Sequence, residues 1–199
     1  MTLKGIELLK DNEKGFVILV ESGRIDHAHH ENLAHLAIDD FVEFDQTIES
    51  TLKQLDLKET LVIVTADHSH SMSFIGYDAR NTSIFDNGLW TVIDPFNGGC
   101  GEFTKIQYAT GPGASLDSKY NVPDEVTNES RNLFPANIQK SSGANHGAED
   151  VPIYAQGPMV PFLLVILNLT SGSGSFIPWY TRAKLYSHCC NVCWLLGRF

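Results

Sequence analysis

The spacing of apolar positions divides the first part of the chain into helices and strands. Apolar side chains recur at helical spacing in Thr2–Lys10 and again, every three or four positions, from residue 31 to residue 55, which predicts a long amphipathic helix there. Phe16–Val20 and Leu61–Val64 are instead apolar without alternation, as in strands covered on both faces. The order predicts a β-α-β unit with neighbouring parallel strands and a right-handed crossover. The predicted fold class is therefore α/β, with a mostly parallel central sheet flanked by helices.

The amino-acid composition changes after His70. Met72–Gly143 is rich in Gly, Asn, Ser and Pro and contains one convincing strand, Phe103–Tyr108, so we predict a loop-rich insertion. A further strand is predicted at Val151–Ala155. Three N-x-S/T triplets are compatible with a glycosylated exterior, although such triplets also arise by chance. They begin at Asn81, Asn128 and Asn168.

Charge and hydropathy narrow the classes of partner. The 199 residues carry a formal net charge of -10, which argues against nucleic acid or an anionic membrane, because both bind through clustered Lys and Arg. An excess of carboxylates is better suited to cations. No N-terminal stretch has the charged start and apolar middle of a signal peptide. The longest apolar run near the end, Phe162–Leu167, is far shorter than the roughly 20 residues of a membrane span.

The four cysteines do not form a recognisable metal motif. Cys100 has no other cysteine near it in the sequence. Three cysteines lie close together near the C-terminal end, with His188 as their only neighbouring histidine: Cys189, Cys190 and Cys193. A zinc knuckle would need evenly placed pairs, so ordinary or disulfide-bonded thiols are the preferred interpretation. The redox compartment is left open.

Candidate metal ligands gather where the apolar runs end. Asp26 and His30 follow the first strand and are four residues apart, so both fall on one face if the segment RIDHAHH is helical. A carboxylate and an imidazole suit zinc, and His146 as a third ligand would leave one position open for water or substrate. For any single histidine, the alternative is a surface or core residue with no ligand role. Several histidines beside an aspartate at a strand end favour a metal site.

Two further groups of side chains could bind additional metal ions. Asp67 and His68 follow the second strand, where a turn lets their side chains converge on one cation; capping of a helix N-terminus is the alternative. Glu21 closes the first strand as an oxygen ligand suited to magnesium, or else is a solvated carboxylate. Two divalent ions about 4 Å apart can clamp the attacking and leaving oxygens of a phosphoryl group. Phosphate-ester hydrolysis is therefore the leading chemistry.

Three motifs together resemble the metazoan alkaline phosphatases. They are VESGRIDHAHH at residues 20–30, VTADHSH at residues 64–70 and HGAEDV at residues 146–151, and the resemblance covers residues 1–159. It implies two zinc ions and one magnesium ion, and a crown-type form for the loop-rich insertion. The ligands that it implies are Glu21 for magnesium, Asp26, His30 and His146 for the first zinc, and Asp67 and His68 for the second zinc. It also implies that His70 lies near the second zinc and supports it without binding it.

Two departures from the family pattern change the expectation for this chain. The family's nucleophilic serine, its phosphate-binding arginine and the aspartate shared by magnesium and the second zinc are expected in an N-terminal half that this sequence lacks. After Met159, where the family continues with a histidine-containing strand and a helix, the sequence reads VPFLLVILNLTSGSGSF and ends rich in cysteine. The expected parts are a portion of the catalytic core at 1–71, the crown-like insertion at 72–143, a return to the core with His146 at 144–159, and a divergent tail at 160–199.

The resemblance implies that the full-length parent hydrolyses phosphate monoesters at alkaline pH through a phosphoserine intermediate. Without that serine, this chain is expected to be inactive by itself. A homodimer and a lipid-anchored position at the cell surface are implied by the resemblance alone, and no anchor signal is recognisable. The alternatives are another two-metal hydrolase, such as a phosphodiesterase or a sulfatase, and a non-catalytic metal-binding paralogue or fragment.

Overall fold

The chain forms two compact units of mixed helix and strand. The computed structural model describes residues 1–76, 79–85, 87–89, 102–114, 133–161 and 192–197. The first unit comprises Met1–Ile25, Asp39–Ser69 and Ala148–Phe199, and the second comprises Asp26–Ile38 and His70–Gly147. The four-part division expected from the sequence stays a prediction.

Helices occur where the apolar spacing predicts them. Three helices lie in the first part of the described residues: α1 (Thr2–Leu9), α2 (Arg24–His30) and α3 (Ala34–Leu52). α1 and α3 confirm the two helices predicted from apolar periodicity, and α2 shows that the segment RIDHAHH is helical. The long helix begins later than residue 31 because a turn separates it from α2.

The turn after α2 is a Schellman motif built on Asn32. Asn32 has a φ of 57°, the left-handed conformation that asparagine tolerates better than most residues. Its N–H donates to the carbonyl oxygen of His29, and the N–H of Leu33 donates to that of Ala28, at 2.9 and 2.8 Å. These two hydrogen bonds end the helix directly after His30.

The strands of the described residues form three separate sheets. In chain order the strands are β1 (Phe16–Glu21), β2 (Thr60–Thr65), β3 (Met72–Phe74), β4 (Asn87–Leu89), β5 (Glu102–Thr104), β6 (Ile106–Gly111), β7 (Ala136–Lys140), β8 (Ile153–Gln156) and β9 (Val192–Gly197). The first unit contains a four-stranded sheet in the order β1-β9-β2-β8. The second unit contains the sheets β3-β6-β7 and β4-β5. β8 confirms the strand predicted near residues 151–155.

The four-stranded sheet differs from the predicted parallel arrangement. β9 forms antiparallel ladders with both β1 and β2, and β8 pairs antiparallel with β2. β1 and β2 are therefore not neighbours, because β9 lies between them. No strand is predicted in the tail that contains β9, so the β-α-β pattern assigns β2 as the neighbour of β1. A mostly parallel central sheet is not confirmed in the described part of the chain.

The two strands predicted to be covered on both faces differ in their exposure. β2 agrees with the prediction, since Leu61, Val62 and Val64 are buried. For β1 the prediction is wrong, because Val17 and Leu19 are 61% and 49% exposed and alternate with partly buried neighbours. Alternating exposure is that of a strand with one covered face. An apolar run by itself therefore does not establish that both faces are covered.

β6 is the central strand of the second unit. It pairs antiparallel with β3 and parallel with β7. The single strand predicted at Phe103–Tyr108 is two strands, β5 and β6, which are separated by Lys105. The buried ammonium group of Lys105 donates to the carbonyl oxygen of Ser83 at 2.8 Å. The hydrophobic core beside β6 consists of Ala34, Ile106, Tyr108, Ala114, Phe134, Ala136 and Ala144.

Several sequence predictions fall outside the described residues. They concern the triplets at Asn128 and Asn168, three of the cysteines (Cys100, Cys189 and Cys190), and most of the tail at 160–199. The crown-type form of the insertion also stays a prediction. Among the helices of the described segments, none is both long enough and apolar enough to cross a membrane.

Candidate metal centre

Four side chains of the second unit that could bind a metal converge on one point. Asp26, His30, His70 and His146 each place one ligand atom within 4.8 Å of the others. Asp26 and His30 lie one turn apart on the same face of α2. His70 lies just before β3 and His146 follows β7, and an isolated antiparallel bridge pairs these two residues. Three segments that are distant in sequence therefore supply the cluster.

The spacing of three of these ligands fits a zinc ion. Four ligand atoms placed tetrahedrally at roughly 2.0–2.1 Å from zinc are about 3.3 Å apart from one another. The Nε2 atom of His146 lies 3.0 Å from that of His30 and 3.5 Å from Oδ1 of Asp26. The remaining separation, from His30 Nε2 to Asp26 Oδ2, is 3.3 Å. Asp26, His30 and His146 therefore bring two imidazole nitrogens and the two oxygens of one carboxylate to separations near those of zinc ligands, with a different oxygen of Asp26 nearest to each imidazole.

A backbone contact determines which nitrogen of His30 can bind a cation. The Nδ1–H of His30 donates to the carbonyl oxygen of Ala144 at 2.6 Å, and the N–H of Ala144 donates to the carbonyl oxygen of His30 at 2.7 Å. A neutral imidazole that donates from Nδ1 carries its lone pair on Nε2. Nε2 is the atom that faces Asp26 and His146, so the neutral ring can coordinate a cation without losing a proton.

His70 adopts the opposite tautomer. The N–H of Ser71 donates to Nδ1 of His70 at 3.0 Å, so the neutral ring carries its proton on Nε2. This Nε2 lies 3.8 Å from Oδ1 of Asp26, and the side chain of His70 is buried. An N–H group directed at a carboxylate supports its negative charge and does not compete for the cation. The resemblance put His70 near the second zinc, whereas the structure places it beside Asp26.

A buried hydrogen bond holds the other side of α2 against β6. His29 is buried, and its Nδ1 shares a hydrogen bond with the hydroxyl of Tyr108 at 2.7 Å. Burial lowers the pKa of His29 to about 4, although the nearby charge of Asp26 opposes this shift. The ring is therefore neutral at neutral pH. This pair is not predictable from the sequence, because nothing local distinguishes His29 from the exposed His27 of the same helix.

Replacing Tyr108 with phenylalanine is expected to lower the free energy of unfolding by about 1–3 kcal/mol. The substitution keeps the buried ring but removes the hydroxyl that bonds to His29, and an unmet hydrogen bond in a buried site costs roughly this amount. Urea denaturation of both chains, followed by circular dichroism, measures the difference. A loss below about 0.5 kcal/mol would show that the bond contributes little.

The candidate ligands for the second zinc ion and for magnesium belong to the first unit. The Nδ1–H of His68 donates to the carbonyl oxygen of Ser69 at 2.9 Å, and Nε2 of His68 lies 3.3 Å from Oδ2 of Asp67. His68 thus presents a lone pair beside a carboxylate, as His30 does beside Asp26. The alternative role of capping a helix has no support, because the described residues that directly follow Asp67, through Gly76, form no helix. Glu21 ends β1 with an exposed side chain.

A sequence model of the family described as "Alkaline phosphatase" matches residues 1–170. The chain belongs to the alkaline phosphatase family. This match confirms the resemblance carried by the three motifs, and it extends past Met159, where the resemblance was expected to end. Alkaline phosphatases have an α/β fold and are generally metal-dependent, in agreement with the helices, sheets and cluster described above.

The chain is similar to alkaline phosphatases from insects and mammals. It is 36% identical over 160 residues to the membrane-bound alkaline phosphatase of Bombyx mori, with 79% of this chain and 28% of the relative covered. It is 40% identical over 164 residues to the tissue-nonspecific isozyme of Felis catus, with 79% and 30% covered. For the tissue-nonspecific isozyme of Homo sapiens the identity is 38% over 169 residues, with 82% and 30% covered. The chain therefore spans less than a third of the length of these curated relatives.

Proposed function

We propose that this chain is a metal-binding part of an alkaline phosphatase that hydrolyses phosphate monoesters. The observation that carries the proposal is the convergence of Asp26, His30 and His146, whose imidazole nitrogens and carboxylate oxygens lie 3.0–3.5 Å apart, near the separations of zinc ligands. Family membership supports the same assignment. We assign the first zinc to these three residues, with the fourth position left for water or substrate.

The remaining ions are assigned in the same proposal. Asp67 and His68 would hold the second zinc, and this is supported by the lone pair that His68 presents 3.3 Å from the carboxylate of Asp67. Glu21 would bind magnesium, for which a carboxylate at a strand end is a suitable ligand. His70 would act on the first zinc site through Asp26, because its Nε2–H supports the charge of that carboxylate.

The bound ions and the side chains of this chain would have different roles in the hydrolysis. Zinc bound at the cluster would supply Lewis acidity and lower the pKa of a coordinated water. Asp26 supplies negative charge, and the hydrogen bond from His30 to Ala144 keeps Nε2 of the imidazole directed at the cluster. In the full-length parent we propose a phosphoserine intermediate. For these 199 residues by themselves we propose metal binding without turnover, because none of their motifs matches the one that carries the nucleophilic serine in the family.

The proposal also covers the oligomeric state and the location of the full-length protein. A homodimer and a lipid-anchored position at the cell surface are proposed by analogy with the family, and one relative bears the name membrane-bound alkaline phosphatase. Glycosylation is proposed at Asn81, which begins an N-x-S triplet and is exposed. This location would make the protein accessible to extracellular phosphate monoesters.

Zinc content of the purified chain tests the proposal directly. Elemental analysis is expected to find bound zinc in the unaltered chain and less in the His146→Ala variant, because this substitution removes one of three ligands. His146 is an exposed side chain, so the variant is expected to fold normally. Zinc content that does not depend on His146 would contradict the assignment of the first site.

A p-nitrophenyl phosphate assay separates metal binding from catalysis. The 199 residues alone are expected to bind zinc without hydrolysing the ester, whereas the full-length protein is expected to hydrolyse it. Hydrolysis by the 199-residue chain, lost in His146→Ala, would contradict the proposed lack of turnover. Zinc binding without hydrolysis in the full-length protein would favour the non-catalytic paralogue.

A further inference from the structure

A buried carboxamide joins the end of α2 to the loop at residues 110–113. Asn32 is fully buried, its Nδ2 donates to the carbonyl oxygen of Thr110 at 3.1 Å, and its Oδ1 accepts from the N–H of Gly113 at 2.9 Å. The loop is shaped around this side chain, since a Cβ added to Gly111 would lie 2.1 Å from Oδ1 of Asn32. Both halves of the carboxamide are therefore hydrogen-bonded, and the position of Thr110 relative to α2 is fixed.

The side chain of Thr110 extends this connection to the segment that bears His146. Its Oγ1 accepts a hydrogen bond from the N–H of Asn145 at 2.8 Å. Thr110 is buried, whereas Asn145 and His146 are exposed and lie outside any helix or strand. Hydrogen bonds thus run from the end of α2, through Asn32 and Thr110, to the residue next to His146.

We propose that Thr110 is a positioning residue for the first metal site, a proposal that rests on the function proposed above. Its hydroxyl holds Asn145, and through it His146, at the distance from His30 that a zinc ion requires. Zinc–nitrogen bonds tolerate deviations of only about 0.2 Å from roughly 2.0–2.1 Å, so a ligand on an exposed segment needs such a restraint.

The size of the expected effect follows from the other contacts of this segment. The paired hydrogen bonds between His30 and Ala144 already hold the chain two residues before His146. The antiparallel bridge to His70 restrains His146 itself. Thr110 adds a further restraint at the neighbouring residue Asn145, so its loss should weaken coordination without abolishing it. Groups that orient metal ligands typically contribute about 10- to 100-fold in affinity.

The test compares Thr110→Val, which keeps the shape and removes the hydroxyl, with Thr110→Ser, which keeps the hydroxyl. Thr104→Val is the matched control, because Thr104 is also buried and its hydroxyl has no hydrogen-bond partner among the described residues. The readouts are zinc affinity by chelator competition and the visible absorption of the cobalt(II) derivative, which reports coordination geometry. Urea denaturation of the metal-free chains measures stability.

Thr110→Val is expected to weaken zinc binding by about 10- to 100-fold and to alter the cobalt spectrum, whereas Thr110→Ser and Thr104→Val stay within about threefold of the unaltered chain. The metal-free stability of Thr110→Val should change little, because the N–H of the exposed Asn145 can bond to water. Equal zinc affinity for Thr110→Val and the unaltered chain overturns the proposal, as does equal weakening in Thr110→Ser. Zinc binding by the unaltered chain that His146→Ala does not weaken overturns the proposed function itself.

Discussion

Replacing His30 with alanine is expected to weaken zinc binding by at least about 100-fold. The substitution removes the ligand atom Nε2 and also the hydrogen bond from Nδ1 to the carbonyl oxygen of Ala144, which holds the chain near His146. If an apparent zinc-binding free energy of roughly 10 kcal/mol is shared by three protein ligands, each contributes about 3 kcal/mol, which corresponds to about 100-fold. Titration against a chromophoric chelator measures the affinity of both chains.

His27→Ala is the matched control for this prediction. His27 lies on the same helix but is exposed and is not part of the cluster. Its replacement is expected to leave zinc affinity within about twofold, because it removes no ligand and changes a solvent-exposed position. Equal losses in both variants would indicate that folding of α2, and not the His30 ligand, controls binding. Unchanged affinity in His30→Ala would remove His30 from the site.

Replacing Ile106 with alanine is expected to lower the free energy of unfolding by about 2–5 kcal/mol. Ile106 is 0% exposed and packs in the core of the second unit with Tyr108 and Phe134. Truncation removes buried apolar area and leaves a cavity, and the combined cost in packed cores falls in roughly this range. Because Ile106 begins β6, the same core supports the strand that carries Tyr108 and Thr110. Urea denaturation of the metal-free chains measures the loss.

Ile138→Ala provides the comparison for the same chemical change outside the core. Ile138 lies on β7, beside β6, but is 80% exposed. Its truncation is expected to change the free energy of unfolding by less than about 0.5 kcal/mol, since little apolar area leaves the protein interior. Similar losses for both variants would mean that β6 and β7 are equally buried in solution, which would contradict the described core.

The candidate metal site was predictable from the sequence where its proposed ligands lie close together along the chain. Asp26 and His30 are four residues apart on a segment that is helical, so the period of the helix alone brings them to one face. The partners of the four-stranded sheet were not predictable in this way. β9 pairs with β1 and β2 across most of the length of the chain, and apolar periodicity carries no information about which distant strand donates the hydrogen bonds.

The sequence by itself determined the identity of the candidate ligands, the helical spacing of Asp26 and His30, the helices α1 and α3, the strands β1, β2 and β8, and the family. Only the tertiary structure decided which role each histidine can take. His30 presents Nε2 because the carbonyl oxygen of Ala144, 114 residues away, accepts its Nδ1–H, whereas His70 receives the N–H of Ser71 and therefore keeps its proton on Nε2. The tautomer of a neutral imidazole depends on its hydrogen-bond partners, and folding alone brings a partner as distant as Ala144 into contact.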